Sequence, residues 1–274
     1  MSAVLQRNNV KIIGSGKQPM IFSHGYGCDQ NMWRFITPAF EDRYQIILFD
    51  HVGHGQSDGR SFDPARYASL DGYADDVLAI CRELDLKDVI FVGHSVSAMI
   101  GILAAIREPE RFDRLLLIGP SPRYINDGDY VGGFEPEDIE GLLDFLDSNH
   151  LGWSSTMAPV IMGTPDRPEL GEELSNSFCR TNPEIAKHFA RVTFLSDNRV
   201  DLPNLKTKAL ILQCAQDVIA PQVVGRYMHQ NLQDSELVLL KATGHCPNLS
   251  APEETIAAME TFLSDPAPST TAAE

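Results

Sequence analysis

One serine in the chain has the neighbours that a nucleophile needs. Ser95 follows an apolar, β-rich run that begins at Phe91, and a helix-forming stretch begins at Val96. In the turn written G-x-S-x-G, a strand passes sharply into a helix, and the strained backbone holds the serine hydroxyl exposed above the sheet. Gly93 fills the first glycine position of this turn, whereas Ser97 replaces the second glycine. The segment therefore predicts a nucleophilic serine, provided that a base and a carboxylate lie near it.

Two later strand ends offer those partners. A strand-like run, Lys208–Ala215, is followed by Asp217, and a second run, Glu236–Leu240, leads into the loop that holds His245. Taken singly, each residue would be an ordinary turn or loop residue. The carboxyl ends of parallel strands meet at one edge of a sheet, however, so the three side chains should gather there. The chain order Ser, Asp, His also suits this arrangement, and we predict a triad of Ser95, His245 and Asp217.

An early turn offers a donor for the oxyanion that forms when a serine attacks a carbonyl. The run Met20–Ser23 has the composition of a strand, and the turn after it places Tyr26 between Gly25 and Gly27. Acyl-transfer sites of this kind take their oxyanion donors from two backbone amides. We predict that these donors are the N–H groups of Tyr26 and Val96. The alternative is that the glycine-flanked turn is an ordinary loop.

The predicted chemistry is acyl transfer. His245 would remove the proton of Ser95 as general base, while Asp217 would hold the imidazole in the correct tautomer. The alkoxide would attack a carbonyl and form an acyl-enzyme, which water would then hydrolyse. We expect no metal ion and no organic cofactor to take part.

Composition excludes several classes of partner. The 274 residues carry a formal net charge of −16, which would repel nucleic acids and anionic membranes. The first residues lack a basic segment followed by an apolar one, and no apolar run has the length to span a bilayer, so we expect a cytoplasmic protein. Five cysteines without paired spacing argue against a disulfide framework or a structural zinc site. We expect a monomer that binds a neutral, small ligand.

The order of the elements predicts a sheet with an inserted helical block. Strand-like runs and amphipathic helices alternate through residues 1–120 and again through residues 201–264, which is typical of a mostly parallel central sheet flanked by helices. Residues 121–200 contain helical patterns separated by prolines, which predicts a four-helix cap over the carboxyl edge of the sheet. The composition of residues 265–274 indicates a disordered tail. The Gly14–Lys17 segment is read as a hairpin turn because it lacks a complete phosphate-loop pattern.

The cap and the strand ends also supply candidate pocket residues. Each is large and apolar or aromatic, and packing between helices is the alternative for any one of them. The predicted substrate-binding residues are Tyr26, Phe134, Trp153, Met157, Ile161, Phe189, Phe194 and Ile219.

Four segments resemble one group of the α/β-hydrolases. These segments are Gly93-His94-Ser95-Val96-Ser97-Ala98-Met99-Ile100-Gly101, Gly119-Pro120-Ser121-Pro122-Arg123-Tyr124, Gly132-Gly133-Phe134-Glu135 and Gly244-His245-Cys246-Pro247. They are similar to the RsbQ-type bacterial hydrolases and to the related plant strigolactone and karrikin receptors. The resemblance covers nearly the whole chain except the tail, and it includes Ser97, which the plant branch shares. Tyr26 differs from the phenylalanine that is common in this group.

The resemblance implies an α/β-hydrolase fold with a V-shaped cap over an apolar pocket, and Ser95, Asp217 and His245 match the family triad. It implies hydrolysis of small apolar esters or butenolide-type lactones. In the bacterial branch it also implies a stress-signalling role, in which the hydrolase activates a PAS-domain serine phosphatase that controls a sigma factor. One alternative is a ligand-gated signalling protein with little turnover. Another is a serine hydrolase of carbon–carbon bonds, which would need a more polar pocket.

Overall fold

A single mostly parallel sheet forms the centre of the protein, as predicted. The computed structural model describes residues 2–264, so the tail predicted to be disordered lies outside the described residues. The strands are β1 (Lys11–Ile13), β2 (Gln18–Ser23), β3 (Tyr44–Leu48), β4 (Val89–His94), β5 (Phe112–Ile118), β6 (Lys208–Gln216) and β7 (Ser235–Thr243). They lie in the order β1-β3-β2-β4-β5-β6-β7, in which β1 is antiparallel to β3 and the other neighbouring pairs are parallel.

The pairing of β1 corrects one prediction. The segment around Gly14 does not form a hairpin turn, because β1 pairs with β3 rather than with the strand that follows it directly. Gly14 has a φ of 86°, and Gly16 approaches the backbone of Arg43 so closely that a Cβ there would lie 2.0 Å from the Arg43 carbonyl oxygen. The two glycines therefore let the chain pass close beside β3 instead of reversing onto β1.

Helices cover both faces of the sheet. They are α1 (Ala3–Arg7), α2 (Leu70–Glu83), α3 (Val96–Arg107), α4 (Pro136–Ser148), α5 (His150–Met162), α6 (Pro168–Arg180), α7 (Pro183–Phe194), α8 (Gln222–Asn231), α9 (Pro247–Ser250) and α10 (Pro252–Ser264). The strand residues alternate between two apolar cores: Phe91 of β4 packs with α2 and α3, whereas Val92 packs with α10 and the cap. The period of two in a strand thus explains why the central strands read as continuous apolar runs.

The four predicted helices between β5 and β6 are present as α4 to α7. Three of them begin at a proline, Pro136, Pro168 and Pro183, whose missing N–H costs nothing in the first turn of a helix. α5 ends at Gly163, which adopts the left-handed conformation that glycine tolerates. The division of the chain into a core of residues 1–120 and 201–264 and a cap of residues 121–200 stays a prediction.

Three contacts hold this helical block in place. The segment entering it and the segment leaving it are cross-linked, because Arg123 forms an ion pair with Asp197 (2.8 Å) and the Asn198 N–H donates to the Pro122 carbonyl (2.8 Å). At its middle, the N–H of His245 donates to the Ile161 carbonyl at the end of α5 (2.8 Å). The block is therefore anchored next to the predicted catalytic residues. Among residues 2–264, every helix is too short or too polar to cross a membrane.

Candidate active site

Ser95 lies in a strained turn between β4 and α3. Its φ of 57° and ψ of −126° are unusual for a residue with a side chain. The turn depends on Gly93, because a Cβ at that position would lie 2.6 Å from the carbonyl oxygen of Ser97. The N–H of Ser95 donates to the Ile118 carbonyl at the end of β5 (2.8 Å), which fixes the turn to the sheet edge. The side chain of Ser95 is buried.

The three residues of the predicted triad form one hydrogen-bonded chain. The distance from Ser95 Oγ to His245 Nε2 is 2.7 Å, and the distance from His245 Nδ1 to Asp217 Oδ2 is also 2.7 Å. The other carboxylate oxygen of Asp217 accepts hydrogen bonds from the N–H groups of Ile219 (2.8 Å) and Ala220 (3.1 Å). A carboxylate can only accept, so Nδ1 of a neutral His245 carries the proton and Nε2 is free to accept the serine proton. Ser97, in contrast, takes no part in these hydrogen bonds, and its hydroxyl donates to the carbonyl of His24.

The backbone of His245 is held on both sides. Its carbonyl accepts a hydrogen bond from His94 Nε2 (2.7 Å), and its N–H donates to Ile161. Burial, together with the neighbouring His245, lowers the pKa of His94 to about 3. His94 is therefore a neutral donor at physiological pH, and it positions His245 without adding a positive charge beside it.

The two predicted oxyanion donors belong to segments that lie next to Ser95. Val96 is the first residue of α3, where an N–H has no acceptor within the helix. The loop that carries Tyr26 passes so close that a Cβ on Gly25 would lie 3.3 Å from Ser95 Cβ and 2.5 Å from His94 Nδ1. Both segments therefore lie close to Ser95. The donor role of the two amides stays a prediction.

Tyr26 also connects this loop to the helical block. Its hydroxyl donates to the Ala186 carbonyl in α7 (3.2 Å). Its ring contacts those of Trp153, Phe178 and Phe194, with centroid separations of 5.8, 5.7 and 6.3 Å. A phenylalanine could make the ring contacts but not the hydrogen bond, so the tyrosine adds a polar link between the loop and α7.

A narrow cavity opens onto Ser95. Most of its wall is aromatic or aliphatic, and the helical block supplies a large part of it. Trp153 Nε1 and Thr193 Oγ1 also belong to lining residues, and both are buried atoms without a hydrogen-bond partner in the described part of the chain. The lining residues are Tyr26, Cys28, His94, Ser95, Tyr124, Trp153, Ile161, Leu174, Phe178, Thr193, Phe194, Ile219, His245 and Cys246. The cavity therefore suits a mainly apolar ligand with few hydrogen-bonding groups.

Five predicted pocket residues line this cavity: Tyr26, Trp153, Ile161, Phe194 and Ile219. The other predicted residues do not. Phe189 does not line the cavity: its ring lies behind that of Tyr26, at a centroid separation of 6.0 Å, and packs against Tyr73, His54 and His51 in the core that contains α2 and α3. Phe134 and Met157 are partly buried against the cap-side core but do not reach the cavity.

Sequence reasoning also missed several lining residues, among them Tyr124, Leu174, Phe178 and Thr193. Leu174 and Phe178 are four residues apart on α6, so they share one face of that helix. The spacing identifies such a face, but it does not indicate whether that face meets another helix or the cavity.

Two cysteines line the cavity, and neither has a reactive thiol. Burial raises the pKa of the Cys28 thiol to about 12 and raises the pKa of the Cys246 thiol well above its ordinary value. A thiol with a raised pKa holds little thiolate at neutral pH and is a poor nucleophile. Both side chains therefore act as small apolar packing groups next to Ser95.

Comparison with known proteins agrees with this geometry. Residues 20–258 match the model of the alpha/beta hydrolase family. A karrikin insensitive 2 receptor of Petunia hybrida is 41% identical over 257 residues, which cover 93% of this chain and 95% of the relative. A strigolactone esterase of Pisum sativum is 39% identical over 95% of this chain and 98% of its own length. Among solved structures, a hydrolase from Oleispira antarctica is similar with a TM-score of 0.94 and 44% identity, covering 96% of this chain and 97% of that chain.

Proposed function

This chain belongs to the alpha/beta hydrolase family, and from that premise we propose that it hydrolyses small, mostly apolar esters or lactones with Ser95 as nucleophile. One observation carries the proposal: the continuous hydrogen-bonded chain from Ser95 through His245 to Asp217 lies at the wall of an apolar cavity. Esterase names among the relatives support this class of reaction.

The geometry supports the following steps. His245 Nε2 takes the proton of Ser95 as the hydroxyl attacks the carbonyl carbon, and Asp217 stabilises the imidazolium that forms. The N–H groups of Tyr26 and Val96 bind the oxygen that becomes negative in the tetrahedral intermediate. Collapse expels the alcohol, which takes the proton from His245 and leaves an acyl group on Ser95. Water then attacks with His245 again as base, and the acid leaves.

The wall of the cavity favours small, mostly apolar esters or lactones as substrates. Aromatic rings from the loop after β2 and from α5, α6 and α7 surround the space above Ser95. A compact ester or a butenolide-type lactone presents one carbonyl group to Ser95 and apolar surface to these rings. A carbon–carbon bond hydrolase would need more polar groups, and the mostly apolar wall does not favour that alternative.

Hydrolysis of p-nitrophenyl acetate and of a butenolide ester tests the proposal. We expect turnover by the wild type and a loss of at least about 10²-fold in Ser95→Ala. Ser121→Ala is the matched control, because it also removes a buried, hydrogen-bonded hydroxyl, from the segment that follows β5, but lies outside the triad. Absence of turnover by the wild type across a panel of esters and lactones would refute the proposal, and so would an undiminished rate in Ser95→Ala.

We also propose a second candidate role, in which the same cavity serves a ligand-gated signal. The supporting observation is that receptors and esterases stand together among the relatives that are about 40% identical. The resemblance to RsbQ-type hydrolases extends this proposal to a monomeric, cytoplasmic regulator of a stress response whose partner is a PAS-domain serine phosphatase. Reconstitution with such a phosphatase from the same organism tests it. Phosphatase activity that is the same with and without this protein, at saturating ligand, would count against the signalling role.

A further inference from the structure

A buried polar network lies directly behind the predicted oxyanion donors. Its centre is Ser97, whose hydroxyl donates to the carbonyl of His24 (2.5 Å) and accepts from the hydroxyl of Ser23 (2.9 Å). Nε2 of His51 lies 2.9 Å from the same hydroxyl. The side chains of this network, all buried at the carboxyl edge of the sheet, are those of Ser23, His24, His51 and Ser97. The proposed reaction uses none of them, so the network needs another explanation.

The hydrogen bond from Ser97 joins the two elements that carry the donors. Ser97 follows Val96 in the first turn of α3, and His24 precedes Tyr26 by two residues in the loop after β2. The pairing of β2 with β4 ends at Ser23 and Gly93, so beyond these residues a side-chain contact can set the distance between the loop and the start of α3. The bond from the Ser97 hydroxyl to the His24 carbonyl does this directly.

The imidazole of His24 fixes the direction of one donor. Nδ1 of His24 lies 2.9 Å from the Gly25 carbonyl oxygen, which also accepts from the Cys28 N–H at 3.3 Å. Because a peptide group is planar and trans, its C=O and N–H point in opposite directions. A bond that holds the Gly25 carbonyl therefore holds the Tyr26 N–H on the opposite side of the same peptide plane.

The hydrogen-bond pattern assigns the ring protons. The N–H of His51 donates to Nε2 of His24 (3.0 Å), so this nitrogen accepts and Nδ1 carries the proton that bonds to Gly25. Burial lowers the pKa of His24 and, with His24 as a neighbour, lowers the pKa of His51 well below its ordinary value. Both rings are therefore neutral, and each has the single proton that its contacts require.

From this geometry we propose that Ser97 and His24 are positioning residues for the oxyanion hole: Ser97 sets the distance between the Val96 and Tyr26 amides, and His24 aims the Tyr26 amide. The inference rests on the proposed function for the identity of the two donors. It also accounts for a serine where the general turn has a second glycine, since glycine could not reach the His24 carbonyl.

Labelling of Ser95 by a fluorophosphonate tests this role alongside ester hydrolysis. The phosphoryl oxygen of the probe occupies the oxyanion hole during attack, so the labelling rate reports on the donors even without turnover. We expect Ser97→Ala and Ser97→Gly to slow labelling about tenfold and to lower kcat by a similar factor with little change in KM. This factor is smaller than the about 10²- to 10³-fold loss for deletion of a donor, because the amides remain and only their placement relaxes.

Ser23→Ala is the matched control, because it removes a buried hydroxyl from the same network but leaves the bond to the His24 carbonyl intact. Its labelling rate should stay within about twofold of the wild type, which separates positioning from a general loss of packing. Equal labelling rates in Ser97→Ala and the wild type would overturn the inference. A wild type that is labelled but hydrolyses no ester would contradict the proposed function alone. A wild type that resists labelling would overturn both.

Discussion

Asp217 has two separate tasks at the residue scale, and each carboxylate oxygen performs one. Oδ2 accepts from His245, and Oδ1 accepts from the backbone of Ile219 and Ala220. The second task holds the carboxylate in place, and the first selects the histidine tautomer. The two tasks are separable by substitution, because an amide can perform only one of them.

We expect Asp217→Asn to fold normally and to lose about 10³- to 10⁴-fold in kcat. The amide oxygen can still accept from Ile219 and Ala220, but the NH₂ group then faces His245 Nδ1 and makes that nitrogen an acceptor. The proton moves to Nε2, which can no longer take the proton of Ser95. Steady-state kinetics with a p-nitrophenyl ester and a thermal melt measure the two effects. A kcat within tenfold of the wild type would contradict this role of Asp217.

The unpartnered hydroxyl of Thr193 gives a second prediction at this scale. Within residues 2–264, Thr193 Oγ1 is buried beside the cavity without a hydrogen bond, whereas the equally buried Thr255 donates to the Ala251 carbonyl (3.0 Å). A buried polar group that lacks a partner gains nothing from folding, so Thr193→Val should leave stability unchanged or raise it. Thr255→Val, the matched control, should cost about 1 kcal/mol. Urea unfolding compares the two, and an equal loss in both variants would contradict the prediction.

At the scale of elements, the end of α5 and the loop before α9 fit together backbone to backbone. Gly244 has a φ of 81°, and a Cβ on it would lie 1.8 Å from the Met162 carbonyl oxygen. The next residue, His245, donates its N–H to Ile161 in the same helix. The position of the predicted catalytic histidine thus depends on a close approach that only glycine permits.

We expect Gly244→Ala to lower kcat at least about tenfold, because the added Cβ must push His245 and the end of α5 apart. Stability should also fall by about 1–3 kcal/mol from strain and overpacking. Gly141→Ala is the control: Gly141 lies on an exposed position of α4 with nothing within 4 Å of an added Cβ, so the change should stabilise by about 0.5–1 kcal/mol and spare kcat. Unaltered kinetics in Gly244→Ala would show that the loop tolerates the displacement.

At the scale of the whole molecule, buried histidines couple folding to pH. Burial lowers the pKa of His54 and of His94 to about 3 from an ordinary value of 6.5, and it also lowers the pKa of His24 and His51. Folding therefore keeps these rings neutral, while the unfolded chain binds protons below pH 6.5. The contribution of these neutral rings to stability is therefore fully present above pH 6.5 and is lost as the pH falls towards 3.

This coupling predicts acid sensitivity in a range where carboxylates contribute little. Between pH 7.5 and about 5.5, His54 and His94 together should reduce the free energy of unfolding by about 3 kcal/mol, or about 1.4 kcal/mol for each ring. Urea titrations at several pH values measure the slope. His54→Asn should show a shallower slope by about one ring's share, whatever its stability at pH 7.5. Parallel pH profiles for the variant and the wild type would rule out His54 as a contributor.

Much of the architecture could be predicted because it depends on local patterns. The apolar runs around Phe91 and Leu210 predict buried parallel strands, and the spacing of Leu70, Tyr73, Val77 and Ile80 predicts α2. Candidate catalytic residues could be chosen because the carboxyl ends of parallel strands meet at one edge, so residue type and chain order already restrict the choice.

The cavity wall and the network behind Ser95 could not be predicted in this way, because both depend on how distant segments approach one another. Phe189 and Phe194 lie on the same helix with similar side chains, yet one packs under the sheet edge and the other lines the cavity. Nothing local distinguishes them, since the direction of each ring depends on the rotation and tilt of α7.

The sequence by itself determined the order of elements, the strained turn at Ser95 and the set of side chains at the strand ends, since short-range sterics and apolar periodicity decide these features. Only the tertiary structure decided which aromatic rings line the cavity, that His94 holds the backbone of His245, and that Ser97 reaches the carbonyl of His24. These contacts join residues more than 70 positions apart. Their geometry follows from packing of the whole domain, which no local pattern encodes.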